Sequence, residues 1–425
     1  MAFGTPAGHF PGVGRDRRSH TRAASLAEVA PAAPAAPAAP AAPAASAAAR
    51  SPAPPAPVPS FARGLWRIAS ADVSSGNAVQ LLRDGAPTFA AMLELIDGAR
   101  TSVDLEGYIF RNDDVGRRFA DALGAAAARG VSVRLLVDWV GRMGTPRSLF
   151  DRIRARGAEV CIFNPPSVRR RWLGLVPRDH RKLLVVDGAS GVTGGIGIGN
   201  EWRTGVLTRR RSPWRDTAVR IDGPAAADMV RAFEHMWQRA RGRDRRGAHR
   251  YMTRRSRGAH LDPSTHAPAL VGIIEGEPGR FRVARALQIQ AVSAERSIWI
   301  ASAYFVPSYS EVEALNGAAR DGVDVRILVP SRYDHPWIRL LTRQFYRRLL
   351  MNGVRIWEWG GEMMHAKTMV SDGRWIRVGS TDFNPLGVAI NFELDAVIED
   401  PTTGAEAEAM FDADLRQSRE ILPEG

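Results

Sequence analysis

The chain has 425 residues, enough for two domains with cores of their own, and a formal net charge of +13 that points to an anionic partner, either lipid or nucleic acid. Its single cysteine, Cys161, lies in an apolar run, excludes a disulfide framework within the chain and fits a reducing compartment. The nine histidines show no metal-ligand spacing, so neither a metal nor another cofactor is expected.

Residues 1–62 are rich in Ala and Pro and poor in large apolar groups, so they cannot bury enough surface to offset chain entropy and are expected to be a disordered tail. Within it, the Ala-Ala-Pro repeats between Pro31 and Ala49 deny a helix its backbone bonds, and residues 1–22 lack the apolar core of a signal peptide. No stretch of the chain reads as a membrane span.

From residue 80 onward the hydrophobic pattern alternates between helix and strand. It predicts a helix over 89–99, a strand over 102–110, a helix over 115–129, a strand over 131–138, a helix over 149–156 and a strand over 158–163. The same alternation returns later: helix 283–295, strand 297–305, helix 311–320, strand 323–329, helix 337–351 and strand 354–359. The expected organisation is therefore two homologous α/β domains, 63–245 and 271–425, joined by a basic linker over 246–270. The basic run 239–257 holds nine Arg against one acid, Asp244, and reads as a solvated linker or helix end, with a lipid-headgroup or nucleic-acid patch as the alternative. A second run, Arg169, Arg170 and Arg171 followed by Trp172 and Leu175, suits the headgroup boundary of an anionic bilayer; its alternative is packing on the domain.

Each half carries one copy of a motif. His180-Arg-Lys182-Leu-Leu-Val-Val-Asp187 matches His365-Ala-Lys367-Thr-Met-Val-Ser-Asp372, both H-x-K-x4-D, and a Gly follows each His by fourteen residues, with Gly195 or Ser380 next. The apolar run after Lys reads as a buried strand, on which residues two apart share a face, so His and Lys point the same way. An imidazole beside an ammonium suits attack on a phosphodiester: the cation offsets phosphate charge and the ring bonds phosphorus or moves a proton. Of the 58 Lys and Arg residues only Lys182 and Lys367 are Lys. A compact ammonium fits a crowded phosphate site that a planar guanidinium would overfill.

Two such motifs, with the flanking phrases Ser102-Val-Asp-Leu-Glu-Gly-Tyr-Ile-Phe110, Trp214-Arg-Asp216 and Ala303-Tyr-Phe-Val-Pro307, resemble the phospholipase D superfamily and its bacterial cardiolipin synthase branch. The resemblance runs from about Asn77 to about Asp400. It implies two phospholipase D-like α/β sandwich domains related by a pseudo-twofold, with the active site at their interface. The reaction it implies is transfer of a phosphatidyl group to phosphatidylglycerol through a phosphohistidine; hydrolysis of a phospholipid or nucleic acid on the same scaffold is the alternative. His180 is then the nucleophile and His365 the acid/base. Glu393 is expected behind the ring of the second half and Asp216 behind that of the first. Asp187 and Asp372 complete the motifs, and their odd spacing from Lys assigns them to the scaffold. Gly195, Ser380, Asn200 and Asn384 are candidates for holding substrate. The family's usual Asn, seventeen residues after the His, is replaced by Gly197 and Asp382. The resemblance further implies a monomer of the peripheral kind, on the cytoplasmic face of the cell membrane, with anionic phospholipid as partner in preference to nucleic acid.

Overall fold

A computed structural model of the chain describes residues 69–166, 177–203, 212–242 and 269–423, with residues 64 and 67 before them. The expected tail, the basic run beyond Gly242, and Arg169, Arg170, Arg171, Trp172 and Leu175 lie outside the described residues.

Runs rich in Val, Ile and Leu form most strands, the inner ones buried along nearly their whole length, as in sheets covered on both faces. In the first half these are β1 (Val73–Arg83), β2 (Ser102–Gly107), β3 (Ser132–Asp138), β4 (Glu159–Phe163), β5 (Lys182–Val186), β6 (Ser190–Gly194) and β7 (Thr217–Asp222). The second half has β8 (Ala269–Gly276), β9 (Ser297–Ser302), β10 (Asp324–Pro330), β11 (Arg355–Trp359), β12 (Lys367–Ser371), β13 (Trp375–Gly379), β14 (Glu393–Glu399) and β15 (Ser418–Ile421). Helices α1 (Gly85–Gly98), α2 (Asp114–Ala128), α3 (Arg147–Ala155) and α4 (Ala225–Ala240) belong to the first half. To the second belong α5 (Arg282–Ser293), α6 (Tyr309–Arg320), α7 (Pro336–Arg343), α8 (Tyr346–Leu350) and α9 (Pro401–Leu415). Side-chain caps set several helix starts: Asp113 accepts from Gly116 N at 3.0 Å, Ser308 and Glu311 form a capping box, and Asp400 accepts from Thr403 N at 2.8 Å.

All the strands join one 15-stranded sheet. From one edge its order is β4-β3-β2-β5-β6-β7-β1, then β8-β14-β13-β12-β9-β10-β11, with β15 last. The second seven strands repeat the first seven in reverse, so a pseudo-twofold runs between β1 and β8. These two pair antiparallel, Val73 opposite Gly272 and Ser74 opposite Val271. On one face α4 and α9 cover a core shared by both halves, with Met229, Phe233, Trp237 and Phe411 in it. On the other, each half keeps a separate core, the first built on Phe89, Phe119 and Phe150, the second on Val283, Leu315 and Leu349. Each such large side chain taken fully from water contributes about 1.5–3 kcal/mol.

One expected element is divided. The helix predicted over 337–351 stops at Arg343 and resumes at Tyr346. Between them the bonds tighten to the three-residue kind, Gln344 N to Leu341 O and Phe345 N to Thr342 O, both at 3.2 Å, which interrupts the α-helical ladder.

Candidate active site

The motif strands β5 and β12 lie inside the sheet, where Lys182 stands opposite Gly107 and Lys367 opposite Ser302. Each histidine sits just ahead of its strand, and there the chain leaves its own half to bridge the other. Asp179 pairs with Phe392 and Met364 with Arg215 in isolated parallel bridges. Through them His180 N donates to Phe392 O at 2.9 Å and His365 N to Arg215 O at 2.7 Å.

The residues after Arg215 and Phe392 are Asp216 and Glu393, so each bridge delivers a carboxylate to the opposite half's imidazole. His180 Nδ1 lies 3.0 Å from both carboxylate oxygens of Glu393, and His365 Nδ1 lies 2.7 Å from Asp216 Oδ2. This corrects the expected pairing, which kept each carboxylate with the ring of its own half. Both residues are present as expected, but across the twofold their partners are exchanged. A carboxylate on Nδ1 makes Nε2 the nitrogen left for chemistry.

Each lysine folds back on its histidine, as two residues on one strand face require. Lys182 Nζ and Lys367 Nζ donate to the carbonyls of His180 and His365, both at 2.6 Å, and Lys367 Nζ is also 3.1 Å from His365 Nε2. Burial, with the two ammonium groups adding to it, pushes both imidazoles well below their ordinary range. Burial also pushes Lys182 down to about 8, Asp216 up to about 6 and Glu393 up to about 8, with Lys367 opposing the rise at Asp216 and Lys182 opposing it at Glu393.

The two rings differ in their surroundings. His365 stacks on Trp214 at 5.4 Å and meets the edge of Trp202 at 5.5 Å, while Trp202 Nε1 donates to Asp216 at 2.8 Å. His180 packs edge-on against Tyr108 at 4.9 Å and is the more accessible of the two, 15% exposed against 6%. Both line one cleft of about 470 Å³, together with Lys182, Glu393, Tyr108, Tyr304 and Asp382.

The other candidates fall into place around this centre. Asp187 and Asp372 follow directly on β5 and β12, about 16 Å along the strand direction from their lysines. Asp187 accepts from Thr101 N at 2.7 Å and Ser102 N at 2.9 Å; Asp372 accepts from Arg296 N at 2.8 Å and Ser297 N at 3.0 Å. Both have left-handed backbone, φ 53° and 55°, and neither borders the cleft. Burial would raise Asp187, but the backbone N–H of Ser102 and of Thr101 outweigh it and hold the carboxyl at about 2.

Gly195 and Ser380, candidates for holding substrate, are not among the residues that line the cleft; they stand behind the carboxylates. A Cβ at Gly195 would lie 2.2 Å from Asp216 Oδ1, so only glycine leaves the room that carboxylate needs. At the symmetric place the hydroxyl of Ser380 donates to Glu393. Asn200 is also corrected: its amide faces α2, where its Oδ1 accepts from Val115 N at 3.4 Å, away from the cleft. Asn384 does border the cleft, although its Nδ2 reaches Tyr304 O at 3.3 Å and its Oδ1 accepts from Gly387 N at 2.9 Å. The space of a larger side chain at Gly197 is filled by Trp202 and Ile109. Asp382 is held 3.5 Å from Lys367 Nζ and accepts from Tyr304 N at 3.2 Å; burial pushes its carboxyl up, against the pull of Lys367.

Tyr108 and Tyr304 were not singled out in the sequence. Lys182 Nζ lies 5.5 Å from the Tyr108 ring and Lys367 Nζ 5.6 Å from that of Tyr304, yet aligning the halves through β2 and β9 sets Tyr108 against Ala303 and Tyr304 against Ile109, so the repeat hides the resemblance. Also unforeseen is a buried polar cluster under the first motif. Glu106 and Asp179 are buried beside Arg181, whose guanidinium meets Glu275 at 3.2 Å, and burial raises both Glu106 and Asp179. Met364 and Ala366 hold the places of Asp179 and Arg181 in the second motif. Among the described residues no group of His, Cys, Asp and Glu is arranged to hold a metal ion.

Comparison with known proteins agrees with this arrangement. The sequence profile of a family described as "Cardiolipin synthase, PLD-like domain" matches residues 92–237 and again 288–415, one match per half. Cardiolipin synthase A of Pseudomonas putida (strain W619) is 31% identical over 369 residues, covering 85% of this chain and 73% of that protein. The major cardiolipin synthase ClsA of Bacillus subtilis (strain 168) is 30% identical over 350 residues, covering 82% of this chain and 71% of that protein. Among solved structures, phosphatidylserine synthase of Haemophilus influenzae superposes with a TM-score of 0.63 at 16% identity, covering 85% of this chain and 92% of that one, a likeness of fold.

Proposed function

This chain belongs to the cardiolipin synthase family of phospholipase D-like proteins, and from that premise we propose that it is a phosphatidyltransferase that makes cardiolipin from phosphatidylglycerol. The observation that supports this reading best is the pair of imidazoles on one cleft, each backed by a carboxylate of the other half and each beside an ammonium.

In the proposed reaction the phosphodiester of one phosphatidylglycerol lies between the motifs. His180 is kept neutral by burial and by Lys182, so its Nε2 lone pair attacks phosphorus. The P–O bond to glycerol breaks, and the leaving alkoxide takes a proton from His365. Burial, and after it the field of the two lysines, keeps the free His365 neutral; the negative phosphate counters the lysines' share, so substrate binding helps His365 carry that proton. The phosphatidyl group is then on His180. The hydroxyl of a second phosphatidylglycerol loses its proton to His365 and attacks phosphorus; the P–N bond breaks and cardiolipin leaves. Lys182 and Lys367 offset the charge that gathers on the phosphate oxygens.

Incubation of the pure protein with phosphatidylglycerol vesicles tests this. Mass spectrometry should find cardiolipin and free glycerol in equal amounts, and added glycerol should drive the reaction back. Phosphatidic acid as the main product would make water the acceptor and the protein a hydrolase.

A further inference from the structure

At the mouth of the cleft α7 carries more apolar surface than the body covers. Ile338 and Thr342, four residues apart, are buried and anchor the helix. Beside them Trp337, Leu340 and Leu341, spaced i, i+3, i+4, make a second stripe turned outward, with Trp337 60% and Leu340 70% exposed. Trp337 and Ile338 line the cleft, and so does Leu386, itself 52% exposed. An outward apolar stripe on the rim of a reactive cleft marks a contact surface.

Charge and volume select its occupant. Arg339 and Arg343 follow on the next side of the helix, drawn to Glu358 at 3.9 and 2.8 Å, and Arg332 and Arg347 flank it, both exposed and neither ion-paired among the described residues. Exposed Trp and Leu bordered by Arg suit the boundary between anionic headgroups and acyl chains. A cleft of about 470 Å³ has the size of a small-molecule site, suited to a headgroup, and leaves the acyl chains of a phospholipid outside. A bilayer lying against α7 would hold those chains, whereas a second protein copy there would close the cleft to lipid.

We propose that α7, with Leu386 beside it, is the surface by which this protein lies on an anionic lipid bilayer, Trp337 and Leu340 entering the headgroup boundary and presenting the cleft to the membrane. The proposal rests on the phosphatidyltransferase reading, because the lipid substrate is what requires the membrane at this rim.

The test is sedimentation of the full chain with vesicles of phosphatidylcholine containing phosphatidylglycerol, comparing wild type, Leu340→Asp and Val292→Asp. Val292 is 81% exposed on α5 and serves as the control for adding a charge to exposed apolar surface. Leu340→Asp should bind about 10-fold more weakly. It should still hydrolyse the soluble diester bis(p-nitrophenyl) phosphate at the wild-type rate, and Val292→Asp should bind as wild type does. In a second measurement, vesicles with brominated acyl chains should quench tryptophan emission, and Trp337→Phe should lose most of the quenching. The proposal is overturned by equal binding of wild type and Leu340→Asp, by equal loss in Val292→Asp, by quenching that survives Trp337→Phe, or by a dimer that Leu340→Asp dissolves. Failure of the enzymatic reading looks different: vesicle binding would depend on Leu340 while no cardiolipin formed.

Discussion

Glu393 belongs to the second half of the chain, yet both its carboxylate oxygens lie 3.0 Å from Nδ1 of His180 in the first. Asp216 returns the relationship to His365 at 2.7 Å. Replacing one carboxylate should therefore disturb the ring in the opposite half. In nitrogen-15 spectra of histidine-labelled protein, Glu393→Gln should shift the His180 ring signals and leave those of His365 in place, with Asp216→Asn doing the reverse. Each should lower turnover by about 10²–10⁴-fold, the range of a lost acid–base contribution. Shifts confined to the ring of the same half would contradict the crossed pairing.

His180→Ala and His365→Ala should each cost several orders of magnitude in turnover, and the double variant should be scarcely slower than either, because nucleophile and acid/base act as one unit. A single variant that kept near-normal rate would remove the two-histidine mechanism.

Lys182→Arg and Lys367→Arg should disable the enzyme although charge is kept. Each ammonium is buried and bent back to its histidine carbonyl at 2.6 Å, a place without room for a guanidinium fork. Wild-type rates in both variants would make the confinement of lysine to these two positions a coincidence.

The alkaline side of the pH profile follows from Lys182, which burial holds at about 8. Its ammonium is present below that pH, so kcat/KM of the free enzyme should fall as pH rises through about 8, and the limb in kcat should lie higher because bound phosphate favours the cation. Stability runs the other way. The unfolded chain keeps this proton up to about 10.4, so between about 8 and about 10.4 it binds more proton than the folded one, and this group's contribution to stability rises with pH. A kcat/KM that stayed level to pH 10 would show that the Lys182 charge is not needed.

Asp187→Ala should act on stability. Its carboxylate gathers the N–H groups of Thr101 and Ser102, charge-assisted bonds whose loss costs about 1.5–3 kcal/mol in a urea titration. The folded carboxyl is depressed to about 2, so the difference from wild type should be full above about 3.9 and shrink as pH falls toward 2. A large fall in kcat with unchanged stability would place Asp187 in the chemistry instead.

The elements with the clearest periodicity were legible in the sequence. The run after each Lys reads as a strand because it is buried on both faces, and the two-residue step alone places His and Lys together. The crossed carboxylates were not legible, since separation along the chain says nothing of which half lies nearer across a twofold. Gly195 and Asn200 misled because nearness to the site does not say what a position faces: β6 returns Gly195 to the Lys182 end, where Asp216 fills the space before it, and Asn200 turns to α2. The break between α7 and α8 was hidden because Ile338, Thr342, Tyr346 and Leu349 keep a helical spacing straight through it.

The exchange of carboxylates also makes each half hostage to the other. Each imidazole has its orienting acid encoded elsewhere in the same gene, so neither half can be removed or swapped alone without disarming both rings. The surroundings carry no such tie: indoles gather around His365 while a tyrosine packs against His180, which gives two copies of one motif the latitude to take up unlike tasks.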